Sequence, residues 1–251
     1  MKAQILKQLE KIEKENDITI LYACESGSRA WGLNNSKSDY DIRFIFKRNN
    51  LKDYLTLSDR DDVVEVMCGN LDIVGWDVKK ALFLHYNSNP NLREWLKSPV
   101  IYVDFRQDIF KDLPDFNNAT LKYHYLNIAN NNWRRLSGMK SELSKKTVKM
   151  YLHIIRCILA WMTVNDKNSP AVNIYDLLKQ VNGLNSEIIR NIEGLIEYYK
   201  NGCRGDFSLE TTDSWIDDCL KTMRRDFPKN GKKPDLKIYD ERFFRIVLGE
   251  N

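Results

Sequence analysis

Residues 25–46 read ESGSRAWGLNNSKSDYDIRFIF, and the second half of this stretch decides the fold. From Tyr40 onward, β-forming residues alternate with polar ones, which is the pattern of a strand with one polar face. Alternation places Asp39, Asp41 and Arg43 on one face. The other face, which we expect in the core, carries Ile42, Phe44 and Phe46. Because two carboxylates on one face repel each other unless a cation lies between them, this strand predicts a cation site.

The first half of the stretch predicts a tight turn after a strand. Residues 18–24 are rich in β-formers, and Gly27-Ser28 follows them closely. A Gly-Ser turn that opens a short helix leaves backbone N–H groups free to hold an anion. Gly27 lets the backbone approach such a ligand, and Ser28 is expected to contact phosphate through its hydroxyl and its N–H. An anion site beside a two-acid metal site suits nucleotidyl transfer from a nucleoside triphosphate.

These residues resemble the DNA polymerase β-like nucleotidyltransferase superfamily, whose signature is a Gly-Ser turn followed by Asp-x-Asp on the next strand. The longer strings ESGSRAWG (25–32) and SDYDIRF (38–44) resemble, more narrowly, the predicted nucleotidyltransferase family associated with RNA repair in bacteria and phages. The resemblance covers the N-terminal half well and the helical half loosely, to about residue 180. It implies an α+β fold, a mixed sheet with flanking helices, followed by a helical domain.

The resemblance also implies two Mg²⁺ or Mn²⁺ ions and a third acid on a neighbouring strand. Asp72 occupies the matching place, in the run LDIV after the Gly69-Asn70 turn, where a charged residue among β-formers is unfavourable unless it faces a cation or solvent. Asp77 competes for this role, but its position before VKKAL favours a helix N-cap. The predicted catalytic and metal-binding residues are therefore Asp39, Asp41 and Asp72.

Further cations are candidates for binding the triphosphate. Arg29 could pair with a phosphate or form a structural ion pair with Asp39 or Glu25. Arg43 could balance the acids when metal is absent, or reach the phosphates.

The sequence of the helical half adds two more basic residues to the candidates for triphosphate binding. Lys149 and Arg156 follow helical spacing with His153 between them, so one face of this helix is expected to be basic. The resemblance implies that such a helix supplies a triphosphate-binding lysine. A solvated charged face is the alternative interpretation.

The composition is that of a soluble protein, with 43% apolar and 29% charged residues among 251 and a net charge of +4. No stretch approaches the ~18 apolar residues of a spanning helix, so no membrane partner is expected. Five widely spaced cysteines without a Cys-x-x-Cys pair indicate thiols in a reducing cytoplasm rather than a zinc site. Long helical patterns begin after Pro114. We therefore expect a catalytic domain over residues 1–115 and a helical domain over 116–251 that closes over the nucleotide.

The predicted function is transfer of a nucleoside monophosphate from a nucleoside triphosphate to an acceptor hydroxyl, with release of pyrophosphate. The resemblance points to an RNA 3′ end, such as that of tRNA, as the acceptor. Transfer to a protein or small-molecule hydroxyl remains an alternative. A catalytically inactive nucleotide or RNA sensor is the alternative from another class, although the chain retains both acids of the Asp-x-Asp pair.

Overall fold

The computed structural model describes residues 1–57, 60–139, 143–165, 169–202, 207–226 and 231–249. Within them, one mixed sheet is formed by β1 (Ile18–Glu25), β2 (Tyr40–Arg48), β3 (Val63–Cys68), β4 (Leu71–Asp77) and β5 (Ile101–Asp104). The strand order is β3-β4-β2-β1-β5. β2 and β4 are parallel, whereas the other neighbours are antiparallel. The Gly69-Asn70 turn connects β3 to β4 in a hairpin.

Helices make up most of the remaining described chain. They are α1 (Lys2–Asn16), α2 (Gly27–Ala30), α3 (Val78–Tyr86), α4 (Pro90–Leu96), α5 (Arg106–Phe110), α6 (Asn118–Ser137), α7 (Lys145–Thr163), α8 (Ile174–Gln180), α9 (Ser186–Asn201), α10 (Leu209–Arg225) and α11 (Leu236–Leu248), with a 3₁₀ turn at Leu51–Tyr54. No helix of the described chain is long and apolar enough to cross a bilayer.

The chain divides into two compact units, and neither is a single continuous segment. The first comprises Met1–Ala30, Ser38–Phe116 and Lys232–Asn251, and the second comprises Trp31–Lys37 and Asn117–Gly231. The predicted division into 1–115 and 116–251 therefore misplaces α11, which packs on α3, α5 and β2 of the first unit. It also misses that residues 31–37 belong to the helical unit. A single boundary in the sequence cannot represent a chain that crosses between the two units four times.

The sheet of the first unit is covered on both faces. On one face, α1 packs through Ile5, Leu9 and Ile12 against a core that contains Ile42, Phe44 and Phe46, as the alternation predicted. On the other face, α3, α4, α5 and α11 surround a second core that includes Tyr22, Cys24 and Ile45. Ile45 lies on the same face as Asp41 and Arg43. The polar face of β2 is therefore confined to its first residues, because helices cover the rest.

Helix α7 is the centre of the second unit, where it packs on α6, α8, α9 and α10. Its start is fixed by a capping box in which the Ser144 hydroxyl accepts from the Thr147 N–H and the Thr147 hydroxyl accepts from the Ser144 N–H. Neighbours on several sides bury most of this helix. The predicted basic face is therefore not uniform: Lys149 is exposed, His153 is half-buried and Arg156 is buried.

The described cysteines are free thiols. Cys24, Cys157 and Cys219 are buried, as expected for thiols in apolar stretches, and Cys68 is exposed. Cys203 lies outside the described residues.

A buried histidine makes the stability of the first unit depend on pH. His85 of α3 is enclosed by aromatic rings, and its Nδ1 lies 3.0 Å from the Tyr239 hydroxyl of α11. Burial lowers the pKa of His85 to about 4. The unfolded chain, with an ordinary histidine pKa near 6.5, takes up this proton first as the pH falls. We expect the free energy of unfolding to drop by about 3 kcal/mol from this group between pH 6.5 and pH 4.

Urea unfolding of wild type and His85→Gln across this pH range measures the effect. Burial raises the pKa of Glu25 and Asp77, so these carboxyls push stability in the opposite direction in both proteins. The difference between the two curves therefore isolates His85. Parallel curves for wild type and variant would contradict the prediction.

Candidate active site

The first residues of the two parallel strands bring two acids together. In the β2–β4 register, Asp41 lies directly opposite Asp72. Both side chains are partly exposed at this end of the sheet. Asp72 therefore lies on the strand next to Asp41, and its role as the third acid stays a prediction. Asp77 ends the same strand and caps α3 by accepting from the Lys79 N–H at 2.8 Å, as its sequence position predicted.

Arg43 connects the two acids. Its Nη2 donates to Asp41 Oδ1 at 3.2 Å and to Asp72 Oδ2 at 2.9 Å. Its Nη1 donates to the main-chain carbonyls of Ile42 and Asp72, at 2.9 and 3.0 Å. Of the two roles that the sequence left open for Arg43, the structure displays the first, which is to balance the acids.

The Gly-Ser turn packs directly on Asp41. The Ser26 N–H donates to the Asp41 carbonyl at 2.7 Å. Gly27 begins α2 with φ +59°, and a Cβ at this position would overlap the Asp41 carboxylate. Ser28 follows, half-buried, in the first turn of this four-residue helix. Only glycine, which has no Cβ, leaves room for the Asp41 carboxylate at this position. This need for glycine is separate from the approach of a phosphate ligand.

Asp39 stands apart from this pair. Strand β2 begins at Tyr40, so Asp39 lies in the preceding loop and is exposed. The alternation argument therefore does not reach it, because alternation holds only within the strand. Within the described ranges, no three or more His, Cys, Asp or Glu side chains are grouped so that they could hold a metal ion. Asp39 thus does not join Asp41 and Asp72 in one such group.

Arg29 lies in a structural network beneath the turn. Its Nε is 3.3 Å from Glu25 Oε1, its Nη2 donates to the Ser38 carbonyl at 3.1 Å, and its guanidinium lies 3.6 Å from the centre of the Tyr40 ring. The structural ion pair that the sequence offered as an alternative is therefore formed, with Glu25. A phosphate-binding role for Arg29 stays a prediction.

Glu25 is itself buried, and the Tyr102 hydroxyl donates to its Oε2 at 2.6 Å. Desolvation raises the pKa of this carboxyl, and the hydrogen bond from Tyr102 and the charge of Arg29 oppose that rise. The sequence did not indicate that Tyr102 contacts Glu25. No signal along the chain could have found it, because the two residues are 77 positions apart and meet only through the pairing of β1 with β5.

Two residues predicted to bind the triphosphate belong to the helical unit. Lys149 is exposed on α7. Arg156 is 3% exposed, donates to the Val172 carbonyl at 3.1 Å, and places its guanidinium 4.0 Å from the centre of the Trp31 ring. The His153 ring stacks on Trp31 at 5.4 Å. Arg156 therefore contributes to holding residues 31–37 in the helical unit, and its burial opposes the predicted role in triphosphate binding.

The chain is similar to known proteins. A model of the RNA repair pathway DNA polymerase beta family matches residues 1–245. YcgL, an uncharacterized protein of Bacillus subtilis (strain 168), is 32% identical over 213 residues, which are 80% of this chain and 78% of that protein. The solved structure of a nucleotidyltransferase-like protein from Exiguobacterium sibiricum 255-15 is 9% identical, with a TM-score of 0.35 over 100% of this chain and 81% of that chain.

The family match confirms both the resemblance that the signature residues carry and the α+β fold class, a polymerase β-like nucleotidyltransferase fold with a helical part. It extends from α1 through the helical unit and into α11, beyond the reach of the sequence motifs. Since it spans nearly the whole chain, this protein belongs to the RNA repair pathway DNA polymerase beta family.

Proposed function

We propose that this protein is a metal-dependent nucleotidyltransferase that moves a nucleoside monophosphate from a nucleoside triphosphate to the 3′ hydroxyl of an RNA. The observation that carries the proposal is the meeting of Asp41 and Asp72 on adjacent parallel strands, with the Gly27 turn packed against Asp41. These residues fit a divalent cation, because one cationic nitrogen already contacts both carboxylates. Carboxylate oxygens are the ligands that Mg²⁺ and Mn²⁺ prefer.

Asp41 and Asp72 would hold the metal. A third carboxylate from Asp39 would require the loop ahead of β2 to bring this residue closer to the pair than the structure places it. When bound, two such ions neutralise charge on the triphosphate and favour ionisation of the attacking hydroxyl. Asp72 accepts the proton of the acceptor hydroxyl or orients that hydroxyl. The acceptor oxygen then forms a bond to the α-phosphorus, and the bond from this phosphorus to the bridging oxygen of the β-phosphate breaks.

The remaining residues bind and position the nucleotide. Ser28 and the backbone of the Gly27 turn hold phosphate oxygens through N–H and hydroxyl donors. Lys149, a residue of the helical unit, neutralises charge on the departing pyrophosphate. Arg29 supports the turn through its ion pair with Glu25, and Arg156 supports the segment 31–37 through Trp31.

The choice of RNA as acceptor rests on the RNA repair description of the family. Two exposed basic side chains provide further support for RNA as the acceptor. Arg134 and Arg135 lie side by side in the last turn of α6, where both are exposed. A pair of exposed guanidinium groups can bind backbone phosphates independently of the sequence.

The label of an α-³²P nucleoside triphosphate identifies the acceptor. We expect label to enter RNA that ends in a 3′ hydroxyl, in the presence of Mg²⁺ or Mn²⁺, and to be absent from the same RNA ending in a 3′ phosphate. Each of the four nucleotides is tested separately, with cell lysate as a source of other acceptors. Label in a protein or in a small molecule would overturn the RNA assignment but not the transferase. No label in any acceptor, with nucleotide bound, would favour the inactive sensor.

RNA binding is expected to depend on salt and on the two arginines of α6. Each phosphate contact to a single strand adds about 0.7 to the slope of log affinity against log salt, so Arg134→Ala with Arg135→Ala should reduce this slope by about 1.4. The affinity for a triphosphate should stay unchanged. Fluorescence anisotropy of labelled RNA between low and physiological salt, with calorimetry for the nucleotide, measures both. Lys221→Ala with Lys179→Ala, two exposed lysines elsewhere in the helical unit, is the matched control. An equal loss of slope in both double variants would contradict a specific role for the arginines.

A further inference from the structure

One nitrogen of Arg43 occupies the space between the two acids. Nη2 lies within 3.2 Å of oxygens from both Asp41 and Asp72. The other terminal nitrogen, Nη1, is held by two main-chain carbonyls. The guanidinium is therefore anchored at four points, and its side chain is only 17% exposed. Arg43 is thus a cation that contacts both acids of the pair.

A metal ion shared by these carboxylates would need the same space. Mg²⁺ binds oxygen at about 2.0–2.1 Å, so an ion held by both acids would have to come close to the carboxylates that Nη2 now contacts. The arginine and the metal would also compete for the negative charge of the same two carboxylates, since Nη2 already contacts one oxygen of each acid. Two cations in this space would repel each other at short range.

We propose that Arg43 competes with the divalent cation for Asp41 and Asp72 and must move away before an ion can bridge them. The inference rests on the proposed function, because it assumes that these acids hold metal. Arg43 stabilises the acid pair before metal binds and limits metal affinity in the absence of nucleotide. Once displaced, its guanidinium becomes a cation that a triphosphate can pair with, so nucleotide should favour metal binding.

Removing the Arg43 guanidinium shows whether Arg43 competes with the metal ion or helps the acids to bind it. Mn²⁺ should bind Arg43→Met about tenfold or more tightly than wild type, because it no longer displaces charge-assisted hydrogen bonds. Calorimetry with Mn²⁺ alone, without nucleotide or turnover, measures this affinity. Arg106→Met is the matched control: it removes the same charge from the same unit, where Arg106 pairs with Asp104 at 2.8 Å, and should leave Mn²⁺ affinity close to wild type.

A second variant tests the same inference in case Arg43→Met does not fold. Arg43→Lys keeps the charge but lacks the planar guanidinium that reaches both acids and both carbonyls, so its Mn²⁺ affinity should be intermediate. The rise in melting temperature on adding Mn²⁺ should follow the same order: wild type smallest, Arg43→Lys intermediate and Arg43→Met largest.

The outcomes distinguish this inference from the proposed function. If Arg43→Met and Arg43→Lys bind Mn²⁺ equally to wild type or more weakly, Arg43 does not compete, and the inference fails while the metal site stands. An increase of the same size in Arg106→Met would also overturn it, because the effect would then be general electrostatics. If no protein binds Mn²⁺, or if Asp41→Asn binds it as well as wild type, the metal-dependent function fails together with the inference.

Discussion

Replacing Asp41 by asparagine is expected to lower the rate of nucleotide transfer by about 10³-fold or more. The substitution preserves shape but removes the negative charge, and metal ions at such sites contribute several kcal/mol to stabilising the transition state. Asp41 lies at the centre of the site, since it faces Asp72, accepts from Arg43 and packs against Gly27. Single-turnover transfer of labelled nucleotide to RNA with a 3′ hydroxyl measures the rate.

The fold should survive this substitution, because removing one of two adjacent carboxylates also relieves repulsion. Circular dichroism and urea unfolding verify this point. Glu10→Gln is the control, an equivalent loss of charge at an exposed position of α1. Its rate should match wild type. A rate for Asp41→Asn within tenfold of wild type would show that the acid pair does not carry the chemistry.

Gly27→Ala is expected to lower the free energy of unfolding of the first unit by about 2–4 kcal/mol and to abolish detectable nucleotide binding. The strain of a left-handed backbone accounts for about 1–2 kcal/mol, and overlap of the new Cβ with a packed group accounts for the rest. That group is the Asp41 carboxylate, so the substitution displaces the residue that the site needs.

Gly69→Ala separates these two contributions. Gly69 has almost the same backbone angle, φ +60° against +59°, but a Cβ there would meet nothing within 4 Å. This variant should lose only the backbone contribution and should bind nucleotide like wild type. Urea unfolding and calorimetry with a non-hydrolysable triphosphate analogue measure the two effects. Equal losses in both glycine variants would refute a specific role for the contact between Gly27 and Asp41.

Some parts of the structure could be predicted because they depend on residues close together in the chain. The alternation in β2 identified Ile42, Phe44 and Phe46 as core residues, and all three are buried against α1. The capping role of Asp77 followed from its position before a helical run. In both cases a residue and its immediate neighbours carry the whole signal, since strand alternation and helix capping act over two to four positions.

Other features of the structure were not predicted, because the spacing of residues within one helix or strand does not show which other elements pack against it. The spacing of Lys149 and Arg156 predicted a basic face on α7, but Arg156 is buried against Trp31. A helix at the centre of a bundle has few solvent-exposed faces, and spacing does not reveal how many neighbours a helix has. The placement of α11 on the sheet is a similar case, because its own pattern fits a helix in either unit.

The sequence by itself determined the family signature, the two acids of Asp-x-Asp, the mixed-sheet fold and the succession of helices in the second half. Only the tertiary structure decided which groups meet at the site. Asp72 pairs with Asp41 from 31 residues away, and Arg43 lies between them, because β2 and β4 are parallel neighbours in one register. Gly27 packs on Asp41 for the same kind of reason. Local conformation follows from nearby residues, whereas strand order and register follow from the packing of the whole unit, and it is register that brings Asp41 and Asp72 together.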